Sequence, residues 1–202
     1  MKRQYVKTGL FVAAIFFGTL QTKAQQDQPA MPSSEENSPM PEPDISMPGN
    51  SETPAEISNL MKFVGDWESD ATLTTEGKTV KVNYWVKCKT TADGKGIFAD
   101  EGFSNPELGT MKGANLAGFD PIDAKVKWFS VDNMGTAHEH IGDWISPEHL
   151  VLLHDGTREG KQYVEKLDFI FTSENEMTFK LVGTLDGKQI ALGEGVFHKK
   201  IK

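Results

Sequence analysis

Residues 53–67 read TPAEISNLMKFVGDW, and the change of pattern within and just beyond this stretch decides the fold. Thr53 stands where a helix N-cap is expected, Pro54 at the first helical position, and Glu56 completes a capping box. Ile57, Leu60, Met61 and Val64 then recur at helical spacing as one apolar stripe. Gly65 ends the helix, and Gly65-Asp66-Trp67 opens a strand. So short a helix, apolar on one face, is expected to close the bottom of a barrel or to pack on its wall.

Downstream the period changes from helical to alternating. Strand-like segments occur near 67–75, 79–90, 96–103, 110–119, 125–132, 136–144, 149–154, 162–171, 177–185 and 189–199. Between them, Glu76-Gly77, Asp93-Gly94, Asn133-Met134-Gly135, Asp155-Gly156 and Asp186-Gly187 supply residues that tolerate positive φ, while Asp120-Pro121 and Ser146-Pro147 pre-set corners. No connection is long enough for a βαβ crossover, so neighbours in sequence should pair antiparallel. The expected fold is all-β: about ten antiparallel strands closing as a lipocalin-like barrel behind a short N-terminal helix. A β-sandwich is the alternative.

The chain divides into three parts. Lys2, Arg3 and Lys7 precede an apolar run from Gly9 to Leu20 and the small-residue site Thr22-Lys23-Ala24, the pattern of a secretory signal peptide over residues 1–24. The apolar run is too short to span a bilayer, and no later segment is apolar enough to do so. Residues 25–53, rich in Pro, Ser, Glu and Met, lack apolar periodicity and read as a disordered acidic linker. Residues 54–202 form the barrel domain. Cleavage would remove four basic residues, Lys2, Arg3, Lys7 and Lys23, and take the formal charge from −8 to −12. Such an acidic product is a poor partner for nucleic acid. Export to the periplasm or the exterior fits a chain with one cysteine only if an ordinary core stabilises it. Cys88 falls in the alternating run Val80, Val82, Tyr84, Val86, Cys88 and is expected to be a small buried hydrophobe.

Gly65-Asp66-Trp67 behind its helix, Gly118-Phe119-Asp120-Pro121, and Trp128 followed by Asp132-Asn133-Met134-Gly135 together resemble the uncharacterised bacterial lipocalin-like family known as domain of unknown function fifteen seventy-nine. The resemblance covers roughly residues 56–199 and implies a calycin-type barrel, without a reaction or catalytic residues. The chain is more distantly similar to the nitrobindin-like haem barrels, which also open with Gly-x-Trp and carry a haem-ligating His near the end. That resemblance makes His198 the haem candidate, although Trp67 is followed by Glu68-Ser69-Asp70-Ala71-Thr72-Leu73 rather than by closely spaced glycines.

Several residues carry possible chemistry. His138 and His140 lie two apart on a strand, so both imidazoles share a face, as two ligands to one metal must. His154 on the next strand, or Glu165 beyond it, would supply a third ligand; the alternative is a hydrogen-bonded or solvated pair. Glu165 shares a face with Tyr163, Leu167, Phe169 and Phe171, which places a carboxylate inside the barrel, where it must be paired, hydrated or protonated. Trp85, Trp128 and Ser130 are further candidates to line a pocket, and Arg158 reads as a solvated loop charge in Gly156–Gly160. No cofactor is clearly implied. The functional expectation is a binding protein for a small apolar or amphipathic ligand. The alternatives are a metal- or haem-assisted enzyme in the pocket, and an envelope interaction domain with a filled barrel.

Overall fold

The computed structural model of the protein describes residues 53–75 and 77–201. The expected signal peptide, the expected linker up to residue 52, and Glu76 of the first expected hairpin turn lie outside them. A helix, α1 (Ala55–Leu60), passes into a 3-10 turn over Met61–Phe63. The helix starts one residue later than the capping box implies: Pro54 holds the cap position, no side chain caps it, and the first bond is from Ile57 N–H to the Pro54 carbonyl at 3.1 Å.

Ten strands follow among the described residues: β1 (Gly65–Thr75), β2 (Lys78–Thr91), β3 (Gly96–Asn105), β4 (Gly109–Asp120), β5 (Lys125–Asp132), β6 (Ala137–Ser146), β7 (His149–Arg158), β8 (Lys161–Ser173), β9 (Glu176–Leu185) and β10 (Lys188–Lys199). Each pairs antiparallel with the next, and β10 returns to pair with β1, for instance Trp67 opposite Lys199. The ring is closed and no strand of it has a free edge, which rules out the sandwich.

One turn is placed differently from the sequence expectation. β7 does not stop before Asp155-Gly156 but runs on to Arg158, with Gly156 opposite Tyr163 and Arg158 opposite Lys161. The reversal is made instead by Glu159 and Gly160, at φ +53° and +75°, the two left-handed residues that a tight hairpin matched to strand twist requires. Arg158 therefore belongs to a strand end, with its guanidinium 6.0 Å from the centre of the Tyr163 ring.

The helix plugs one end of the barrel. Leu60 and Phe63 are buried, and the Phe63 ring packs edge-on against Trp128, Phe169 and Phe171 with centroids 5.4, 5.2 and 4.9 Å away. Trp67 is tied to the plug by a 2.7 Å hydrogen bond from its Nε1 to the Phe63 carbonyl, and Lys199 Nζ sits 4.7 Å over its ring. Leu150, Leu152, Ile97 and Val126 complete this packed end. Cys88 is buried there too, as the alternation implies, and burial pushes its thiol up to about 12. No helix among the described residues is long and apolar enough to cross a membrane.

Candidate functional site

Away from the plug the interior is not filled. A cavity of about 130 Å³ remains, floored by Phe63, Trp128 and Phe169 and walled by Leu73, Phe103, Met111, Phe179, Leu181 and Phe197. One side of this apolar chamber is polar. Even-numbered positions of β5 and β6 turn inward, which brings Trp128, Ser130, His138 and His140 to the wall, and odd-numbered positions of β8 bring Glu165.

Glu165 is the centre of the polar side and is 4% exposed. Its Oε1 accepts a hydrogen bond from His140 Nε2 at 3.0 Å and has His138 Nε2 at 3.7 Å, while its Oε2 accepts the Tyr163 hydroxyl at 2.5 Å. Burial alone would raise this carboxyl, but the His138, His140 and Tyr163 donors outweigh it and hold Glu165 well below the ordinary range, as an anion. His140, 2% exposed, is pushed down by burial more than Glu165 lifts it. It is a neutral ring with its proton on Nε2, because a carboxylate oxygen can only accept. Its Nδ1 is then a bare acceptor, buried without a hydrogen-bond partner. Burial and the Glu165 charge together raise the Tyr163 phenol, which stays protonated. His154 stands beside this group, its ring 4.9 Å from His138 and 5.8 Å from His140. Its Nδ1–H donates to the Glu139 carbonyl at 2.9 Å.

A second inward carboxylate is absent from the sequence expectations. Glu101 lies on β3 in the alternation Ile97, Ala99, Glu101, Phe103, and the face rule that marks Glu165 marks it as well. Burial raises its pKa, and Asn115 and the Tyr84 hydroxyl counter this only in part. Tyr84 is itself pushed well up by burial and by Glu101. Asn115 Oδ1 accepts from Trp128 Nε1 at 3.0 Å and from Ser130 Oγ at 2.6 Å, which fixes the amide's orientation. Its Nδ2 is left without a hydrogen bond of ordinary geometry.

Trp128, Ser130, His138, His140 and Glu165 thus meet around one cavity, with Tyr163 holding Glu165 from behind. Two candidates lie elsewhere. Trp85 is on the outer face of β2, because Val80, Val82 and Cys88 set the inward phase; it lies against Gly102 with Lys87 Nζ 5.7 Å from its ring centre. His198 follows the inward Phe197 and so points outward, 67% exposed, with Nδ1 3.7 Å from Glu176. This places the haem candidate outside the barrel wall, away from the cavity.

Neither protein-family models nor curated protein sequences give a match to this chain. Among solved structures, the S-type phycobiliprotein lyase CPES from Guillardia theta is similar, with a TM-score of 0.50 and 13% identity over 72% of this chain and 92% of that one. At that identity the likeness speaks for the fold alone.

Proposed function

We propose that the protein is an exported barrel that binds a small amphipathic molecule, with the apolar body among Phe103, Met111, Leu181 and Phe197 and a hydrogen-bond-donating head against the Glu165 side. The observation that carries this is the cavity itself: one chamber, mostly apolar, into which polar groups from six strands converge. Its 130 Å³ is below the several hundred typical of drug-sized sites and suits a molecule of about one ring. Its polar atoms are mainly acceptors, and none of the lining residues is Lys or Arg. That favours a hydroxyl or amine head and disfavours a carboxylate. The signal-like residues 1–24 support export, and the sequence resemblance to the uncharacterised lipocalin-like family supports a binding barrel at the level of fold.

Native mass spectrometry of the protein purified from the cells that make it, before and after denaturation, looks for a retained small molecule. In parallel, phenol, benzylamine and benzoate are titrated against the purified protein, read by tryptophan fluorescence, because Trp128 lines the cavity. Saturable binding of phenol or benzylamine but not benzoate is expected. No retained molecule and no response to any of the three would refute the reading.

A further inference from the structure

His138, His140 and Glu165 offer two imidazole nitrogens and a carboxylate oxygen, all within 4.8 Å of one another. Two of those separations, 3.0 Å and 3.7 Å to Glu165 Oε1, bracket the roughly 3.3 Å that separates ligand atoms in a tetrahedral site with metal–ligand bonds of about 2.0–2.1 Å. We infer that these three side chains form a binding site for a divalent first-row transition ion of the zinc type, with its fourth position open to the cavity.

Four features of the site support this beyond the presence of the residues. Both histidines converge through Nε2 on the same oxygen of Glu165, which leaves His138 with no short hydrogen bond there; a cation between the three would take both Nε2 atoms at once, with the His140 proton moving to Nδ1. Tyr163 takes Oε2 and so turns Oε1 toward the imidazoles, the arrangement in which an outer hydroxyl orients a ligating carboxylate. His154, held by the Glu139 carbonyl, packs against both rings and limits their rotation. Finally, Glu101 and Asp132 line the cavity with Glu165, and none of its lining residues is Lys or Arg, so the field there favours a cation. His138 is 18% exposed, so the ion has a path in, and a water or the head of a bound molecule can complete the coordination. Glu165, rather than His154, is the third ligand in this arrangement.

The site does not depend on the small-molecule reading, and metal alone tests it. The full-length protein, stripped with chelator, is titrated with Zn²⁺ by calorimetry and with Co²⁺ by visible absorption. One ion per chain is expected, and bound Co²⁺ should show the intense d–d bands of four-coordination. His138→Ala, at a partly exposed position that leaves the core intact, should weaken Zn²⁺ binding by about a hundredfold or more, and Tyr163→Phe by about tenfold. Glu165→Gln serves as the second ligand variant, with near-ultraviolet circular dichroism confirming that each variant is folded. No binding of either ion would overturn the proposal. So would binding whose affinity is the same in His138→Ala and Glu165→Gln as in the unaltered chain, which would locate the ion at an outer histidine such as His149 or His198.

Discussion

Replacing Phe63 with Ala tests whether the helix is a plug that stabilises the barrel or a segment resting on its end. The Phe63 ring is 4% exposed and meets Trp128, Trp144, Phe169 and Phe171. Losing its burial removes about 2 kcal/mol of transfer free energy. The missing ring volume of roughly 100 Å³, at about 24 cal/mol per Å³, adds about 2.4 kcal/mol if the surroundings do not collapse. The expected cost is therefore about 4 kcal/mol, or a midpoint lower by about 8–16 °C for a domain of this size. The hydrogen bond from Trp67 Nε1 runs to the Phe63 backbone and survives the change, so the loss reports the ring. Because Phe63 also floors the cavity, the space should grow from about 130 Å³ toward roughly 230 Å³. Urea unfolding followed by far-ultraviolet circular dichroism measures the first effect. A saturating small apolar molecule such as indole should raise the stability of the variant more than that of the unaltered protein, which measures the second. A loss below about 1 kcal/mol with no difference in response to indole would show that the helix does not seal the barrel and that the packing argument is wrong.

Three further outcomes are expected. Gly142 on β6 has the Val151 carbonyl oxygen 1.9 Å from where a Cβ would stand, so Gly142→Ala must displace the β6–β7 backbone; a loss of about 3 kcal/mol or more is expected by urea unfolding, and an unchanged midpoint would refute the close approach. Cys88, with its thiol pushed up to about 12, should resist Ellman's reagent in the native protein and react fully in urea; rapid native labelling would contradict its burial. Glu165 and Glu101 should show opposite pH signatures. Glu165 is held low, so its stabilisation is complete above the ordinary carboxylate range and is lost as pH falls below about 4; Glu101 is held high, so it costs stability as pH rises above that range. Urea midpoints from pH 3 to 7 should therefore show Glu101→Gln gaining on the unaltered protein as pH rises, by up to about 1.4 kcal/mol per unit, and Glu165→Gln losing ground; slopes of the same sign would sink both assignments.

The strands are legible in the sequence because alternation and turn chemistry agree along most of the chain, and β5 falls on the expected 125–132. The end of β7 is not, because Asp155-Gly156 looks like a turn until pairing with β8 shows that the glycine is a strand residue. The stripe on the helix omits Phe63, its most important side chain, because the last turn tightens to 3-10 geometry over Met61–Phe63 and swings the ring inward. Within the site, phase is the informative signal and size the misleading one. Phase identifies Glu165, His138 and His140. Size alone makes Trp85 a cavity wall, although Val80, Val82 and Cys88 already assign its parity to the outside. The same parity finds Glu101 and places His198 outward. The cavity has no sequence signal, since it is the volume left when ten strands and a plug are packed.

Glu101 and Glu165 share one chamber, and burial penalises both, yet their charges are pushed in opposite directions. The difference lies in the donors. Glu165 has the His140 ring, His138 and the Tyr163 hydroxyl, so its charge is compensated by oriented dipoles rather than by a fixed cation. Glu101 has only a phenol and one amide to set against its burial. A carboxylate balanced by dipoles can exchange those partners for a stronger one, and a metal ion or an amine is such a partner. The interior therefore offers an acceptor face at Glu165, joined to Glu101 by a polar row of His138, Ser130 and Asn115 and faced by apolar walls. An occupant that matches it carries its positive or donating end toward Glu165 and its apolar body away from it.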